Sequence, residues 1–350
     1  MARRTREFER SAFFGDLLAA SLPHNQVWME TNDQWRANRR LMADTMSPKF
    51  LNEVAAPRIY EQFMALVKIW RAKSRLAEGH PWCAASDISL AMFESIFSVA
   101  FGGSTGDLEA EHRCVSNMSG LEGVAASDLD SVADFPSLPR SEAFTSLIAV
   151  ADSSEIPIKS PLGRYHHAFA LRFYPYLRKA VRLKDRLIKI KLDQAWLRFG
   201  SNQAPADDIR CATDLIVAKE VTLAKKQDRK AQYDSPFVRD ELLGFLIAGH
   251  DTTTSTIEWG VKYLTRHQSV QANVRDCLDS AFGRDLPSAE DIAKTKLTYL
   301  DAFIEETLRC ENAGSATVRC ATQDTEILGY FIPKGTDVFM LVRRYLIVAS

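Results

Sequence analysis

No uninterrupted apolar run in this chain is long enough to cross a bilayer, so the sequence as given does not read as an integral membrane protein. The opening Met1-Ala-Arg-Arg-Thr-Arg-Glu7 has no apolar core, which argues against a secretory signal peptide. Six cysteines, at 83, 114, 211, 277, 310 and 320, form no Cys-x-x-Cys pair. Structural zinc is therefore not expected, and reduced thiols in a reducing compartment are the simpler reading. A formal net charge of -1 gives no electrostatic case for nucleic acid as a partner. Internal repeats and low-complexity segments are also missing. What remains is the composition of a folded globular protein, 46% hydrophobic and 25% charged over 350 residues.

The chain is organised around Glu241-Leu-Leu-Gly-Phe-Leu-Ile-Ala-Gly-His-Asp-Thr-Thr-Thr-Ser-Thr-Ile-Glu-Trp-Gly260. Ser235-Pro236 reads as its start, because Ser caps helices and Pro is tolerated in the first turn. The spacing predicts one helix running to about Leu264, long enough to cross a large domain. Ala248-Gly249 removes bulk from this helix, and Asp251 and Thr252 follow at once. Consecutive β-branched Thr residues are poor helix formers, and their hydroxyls can bond back to the carbonyl one turn earlier. A small-residue notch, an acid and a run of hydroxyls inside a buried helix break local consistency, as functional sites do.

This stretch resembles the oxygen-binding central helix of the cytochromes P450, Ala/Gly-Gly-x-Asp/Glu-Thr-Thr/Ser. Here it reads Ala248-Gly249-His250-Asp251-Thr252-Thr253. The resemblance implies that Gly249, beside Ala248, opens a groove next to a heme. It also implies that Asp251 and Thr252 relay protons toward oxygen activated at the iron. On their own, the same residues suit a buried helix whose Thr side chains bond to their own backbone.

A second match lies upstream. Asn32 or Asp33 can cap a helix on which Trp35 and Arg39 share one face at i and i+4. An indole N–H and a guanidinium pointing one way can hold a carboxylate. The family's Trp-x-x-x-Arg helix grips heme propionates, and Trp35 and Arg39 match it; the plainer alternative is an amphipathic surface helix. Downstream, Glu306-Thr-Leu-Arg309 matches the Glu-x-x-Arg of the family. Its implied role is structural support through an ion-paired network. Residues 319 to 338 change to a strand period around Gly329 and Pro333-Lys-Gly335, which reads as a hairpin. Arg319 matches an arginine that contacts a propionate in the family.

Between these landmarks, helices are expected over residues 52–76, 86–102, 176–199, 268–282 and 298–310, with Gly102-Gly103 as one stop and Ser288 as a cap. Residues 103–160 are expected to hold loops and one helix. The basic helix 176–199 reads as a solvated face, with a membrane surface or an acidic redox partner as the sharper alternative.

The expected fold class is therefore mainly α with a small β portion, a partial cytochrome P450 domain over residues 1–338 and a non-matching tail at 339–350. The resemblance implies heme b, dioxygen, electrons from an NADPH-dependent reductase and a lipophilic small-molecule substrate. Intact relatives usually sit at the endoplasmic reticulum membrane. The family's Phe-x-x-Gly-x-Arg-x-Cys-x-Gly loop, whose Cys ligates iron, has no match among the six cysteines. Thiolate ligation favours O–O cleavage, so the polypeptide as given is expected to be inactive. The tail reads as translated intron or frameshift. The runner-up is a catalytically dead helical protein that binds a small molecule or serves as a scaffold.

Overall fold

The computed structural model describes residues 4, 6–120, 131–200, 208–283, 286–311, 313–314 and 316–341. Helices dominate. In chain order they are α1 (Phe13–Leu18), α2 (Asp33–Ala43), α3 (Pro48–Phe50), α4 (Ala56–Ala77), α5 (Ala85–Phe101), α6 (Asp107–Ser116) and α7 (Glu142–Asp152). Then follow α8 (Ile156–Lys159), α9 (Gly163–Phe173), α10 (Pro175–Phe199), α11 (Ala212–Lys226) and α12 (Pro236–Arg266). The last are α13 (Gln268–Phe282), α14 (Ala289–Lys294) and α15 (Thr298–Cys310). The strands are β1 (Phe8–Arg10), β2 (Ala316–Ala321), β3 (Thr325–Ile327), β4 (Tyr330–Ile332) and β5 (Asp337–Leu341).

Helix ends follow local chemistry. Ser235 Oγ accepts the Val238 amide, so α12 starts where Ser-Pro predicts. Asn32 caps α2 by accepting the Trp35 amide, and Ser288 forms a capping box with Asp291. Gly102 turns to positive φ and ends α5. A wide π turn over Leu51–Ala55 leads into α4 just before Pro57, whose missing N–H cannot continue an ordinary ladder.

The expectation of one helix across 103–160 falls short: this region holds α6, α7 and α8. Polar caps produce them. Glu94 accepts the Thr105 and Asp107 amides at the head of α6, and Ser141 Oγ accepts the Phe144 amide at the head of α7. The hairpin is real but smaller than expected. β3 pairs with β4 across Leu328-Gly329, both at positive φ, whereas the chain after Pro333-Lys-Gly335 enters β5 and pairs with β2. The three-stranded antiparallel sheet has the order β1-β2-β5. The expected tail falls mostly on residues 342–350, which lie outside the described residues.

The main apolar cluster comes chiefly from α5, α7, α10, α11 and α12, including Phe93, Phe97, Leu147, Ile188, Leu192, Ile216, Leu242, Leu243 and Leu246, with smaller clusters between α4, α5 and α6 and around Phe50. α5 is buried on nearly all sides and packs against α4, α11 and α12. At 31 residues and 1.5 Å per residue, α12 is roughly 46 Å long and crosses the domain. Among the described residues, no helix is long and apolar enough to cross a membrane.

Candidate active site

A cavity of about 610 Å³ opens along one side of α12. Gly244, Phe245, Ile247 and Ala248 form its floor, Leu18, Leu22 and Val27 one wall, and Met42 and Met46 another. Arg10 and Arg39 stand at its polar side. Apolar walls with a few convergent polar groups are the usual build of a small-molecule site.

The polar side is unusual. β1 pairs with β2 so that Arg10 and Arg319 are direct cross-strand partners. Like charges directly opposite one another destabilise a strand pair. Arg39 from α2 joins them: the guanidiniums of Arg10 and Arg39 lie 4.9 and 5.5 Å from the centre of the Trp35 ring. Arg10 is held below the usual arginine value, first by burial and then by the charges of Arg319 and Arg39. It donates to the carbonyls of Gln26 and Val27, both at 2.9 Å. Among the described residues, no carboxylate forms an ion pair with Arg10, Arg39 or Arg319. Trp35 Nε1 is shut off from solvent and has no hydrogen-bond partner. The neighbouring Glu9 charge offsets part of the repulsion at Arg10, yet three guanidiniums with no ion-paired carboxylate among the described residues, plus an orphaned buried donor, leave a place for acid groups.

The segment that receives Arg10 is itself tied down by Glu241 through Gln26. Its carboxylate accepts the Gln26 amide at 2.6 Å, Gln26 Nε2 at 2.9 Å and Asn38 Nδ2 at 2.9 Å. Burial nevertheless pushes the Glu241 carboxyl above its ordinary value, and neighbouring Asp240 is raised for the same reason. Gly244 is required here, because a Cβ would meet Asn25 Nδ2 at 2.2 Å.

The motif residues of α12 divide among three directions. Ala248 lines the cavity. Thr252, one turn on and exposed, donates from Oγ1 to the Ala248 carbonyl at 2.7 Å, the back-bond expected of a helical Thr. Gly249 turns toward α5 instead, where a Cβ would fall 2.5 Å from Ile96 Cδ1. Its lack of a side chain lets α12 approach α5. The open groove belongs to Ala248 and Gly244. Asp251 is drawn toward His250, with Nδ1 2.7 Å from Oδ1.

Glu306, exposed, and Arg309, half-buried, pair on α15 as expected, and neither is among the residues lining the cavity. Sequence reading missed Arg10, because a lone Arg in Phe-Glu-Arg carries no signal until β1 is known to pair with the strand of Arg319. It also missed the Glu241 network, whose members come from three separate segments. The residues present fit a flat apolar macrocycle with two acid tails, which is the shape and charge of heme b. Among the described residues, those lining the cavity include no thiol.

Comparison with known proteins bears on the family and the fold. The family model described as Cytochrome P450 matches residues 4–346. The chain is 36% identical over 346 residues to a cytochrome P450 monooxygenase of Pestalotiopsis microspora, covering 97% of this chain and 60% of that protein. A second, from Fusarium sporotrichioides, is 32% identical over 350 residues, covering 97% and 59%. The chain thus spans about 60% of the length of these curated relatives. Among solved structures, the heme domain of cytochrome P450DA superposes with a TM-score of 0.69 at 16% identity, covering 97% of this chain and 64% of that one. Cyanobacterial CYP120A1 with retinoic acid bound gives 0.61 at 14%, covering 97% and 63%. With that family model matching residues 4–346 and a relative 36% identical over 97% of the chain, the chain belongs to the cytochrome P450 family.

Proposed function

We propose that this chain forms the oxygen-side wall and the acid-tail grip of a heme-dependent monooxygenase acting on a lipophilic small molecule. Bound heme would supply the redox iron for dioxygen activation, with electrons from a reductase. The single observation that carries the reading is that Arg10 and Arg39 line a cavity floored by Gly244 and Ala248, with the unpartnered Trp35 indole beside both and Arg319 across the strand from Arg10. Arg10 and Arg39 would pair with the acid tails from the side of Trp35, and Arg319 from the facing strand. Apolar Leu18, Leu22, Val27 and Phe245 would exclude water and accept a greasy substrate. Thr252 would offer a hydroxyl once it leaves the Ala248 carbonyl, and Asp251 would supply the proton.

Hemin titration of the chain tests this. Saturable binding is expected, weakened about tenfold or more by R39Q or R319Q, since hydrogen bonds between charged groups are the strong ones. Equal affinity in the variants would sink the reading.

Among the described residues that line the cavity none is a thiol, which favours one narrower reading: the 350 residues as given bind a ligand without turnover. Reduction and carbon monoxide should then give no thiolate-type Soret band, and the band's presence would remove that reading.

A further inference from the structure

His250 fills the one position that the helix motif leaves open. Its ring is buried on the α5 side of α12, at 6% exposure, and meets Phe93 edge-on with centroids 6.1 Å apart. Nδ1 lies 2.7 Å from Asp251 Oδ1. Nε2 lies 3.2 Å from the Ser89 carbonyl oxygen and 3.2 Å from Ser89 Oγ.

Adjacent residues on a helix do not normally face each other. This contact requires the Asp251 side chain to turn back toward the packed flank of α12, away from Ala248. Both arrangements of the ring place a proton in it. If Nε2–H donates to the Ser89 carbonyl, Nδ1 and the carboxylate must share a proton, because two lone pairs at 2.7 Å would repel. If Nε2 accepts the Ser89 hydroxyl, Nδ1–H donates to Asp251. A further acid feels the pair from the end of α7. The Asp152 carboxyl is raised by burial first and by the Asp251 charge second, and the charge of His250 opposes that rise. The acid and the alcohol of the motif are thus held by different partners: Thr252 by its own helix, Asp251 by a ring anchored on α5.

We propose that His250 is the positioning residue of Asp251. It fixes the carboxylate on the α5-facing flank of α12 with a proton held between them, and Ser89 locks the ring. The inference deepens the proposed function and rests on it for its role: Asp251 serves the cavity only after rotating off His250, so the ring sets how often the acid is presented.

The test uses the full chain labelled with ¹⁵N-histidine. A slowly exchanging His250 Hδ1 resonance is expected, assigned by its loss in H250F. D251A, at an exposed position that leaves the core intact, should speed its exchange by about tenfold or more, the effect of losing a bond to a charged group. S89A should leave the Hδ1 signal and change the Nε2 shift. A Hδ1 signal unchanged in D251A, or no protected ring N–H in the unsubstituted chain, overturns the proposal. Hemin titration of the same samples keeps the two ideas apart. An intact pair with failed arginine dependence sinks only the proposed function, and a D251A-insensitive ring sinks only the pair.

Discussion

The two halves of α12 are held in different ways. Every buried residue of the helix except Gly260 lies upstream of Ser255. That half is backed by α5, through Ile96 on Gly249 and Phe93 on His250, and by the apolar cluster of α10 and α11. The downstream half meets α15 where Gly260 approaches Phe303 and Thr307. On α15, the apolar side chains Ile304 and Leu308 stand in solvent. The cavity floor therefore lies on the half that is packed from behind. Its shape is set by the chain's own core, without help from the region that follows.

Substitutions can break or sharpen this contrast. Leu242→Ala, at a site with 0% exposure, should cost about 2–5 kcal/mol in urea unfolding, the usual range for an apolar deletion in a core. A loss below about 1 kcal/mol would mean that the upstream half is not the packed one. Gly249→Val should cost about 1–3 kcal/mol by driving side-chain carbons into Ile96. Its melting curve should shift, while the same change at a loosely backed site would be tolerated.

Glu241 gives a smaller, pH-dependent effect. Its folded-state value is raised by burial, so its contribution to stability is fully present below the ordinary carboxylate range and is lost as pH rises through the raised value. Unfolding midpoints of the unsubstituted chain should fall relative to E241Q between the ordinary glutamate value and neutrality. Parallel curves for the two proteins would contradict the burial argument.

At the small end stands Gly260→Ala. A Cβ there would sit 3.8 Å from Phe303 Cε1, ordinary contact distance. Replacing a helix-interior Gly should stabilise by about 0.5–1 kcal/mol. Destabilisation would show the downstream half to be tighter than the contact distances imply.

Much of this was legible in the sequence. The Ser235 cap, the Asn32 cap and the apolar period of α4, α5 and α10 are local signals, and the helices formed where they point. The back-bond of Thr252 follows from residue type alone. The failures are non-local. Which flank of α12 faces the cavity depends on where α5 packs, so Gly249 looked like the groove and proved to be the seat of Ile96. Residue type at 250 says nothing of a bond to Asp251, because neighbours on a helix ordinarily diverge. Arg10 needed a strand register linking positions 309 residues apart, 10 and 319, which no periodicity can supply.

That register carries a consequence for the sheet itself. β1 is three residues long and joins β2 with two cations abreast, so the ladder works against its own electrostatics until something negative settles between them. Amide protection along Phe8 to Arg10 should therefore behave as a gauge, weak in dilute buffer and firmer as anions fill the gap. An edge strand of this kind would report an arriving ligand without touching the greasy part of it.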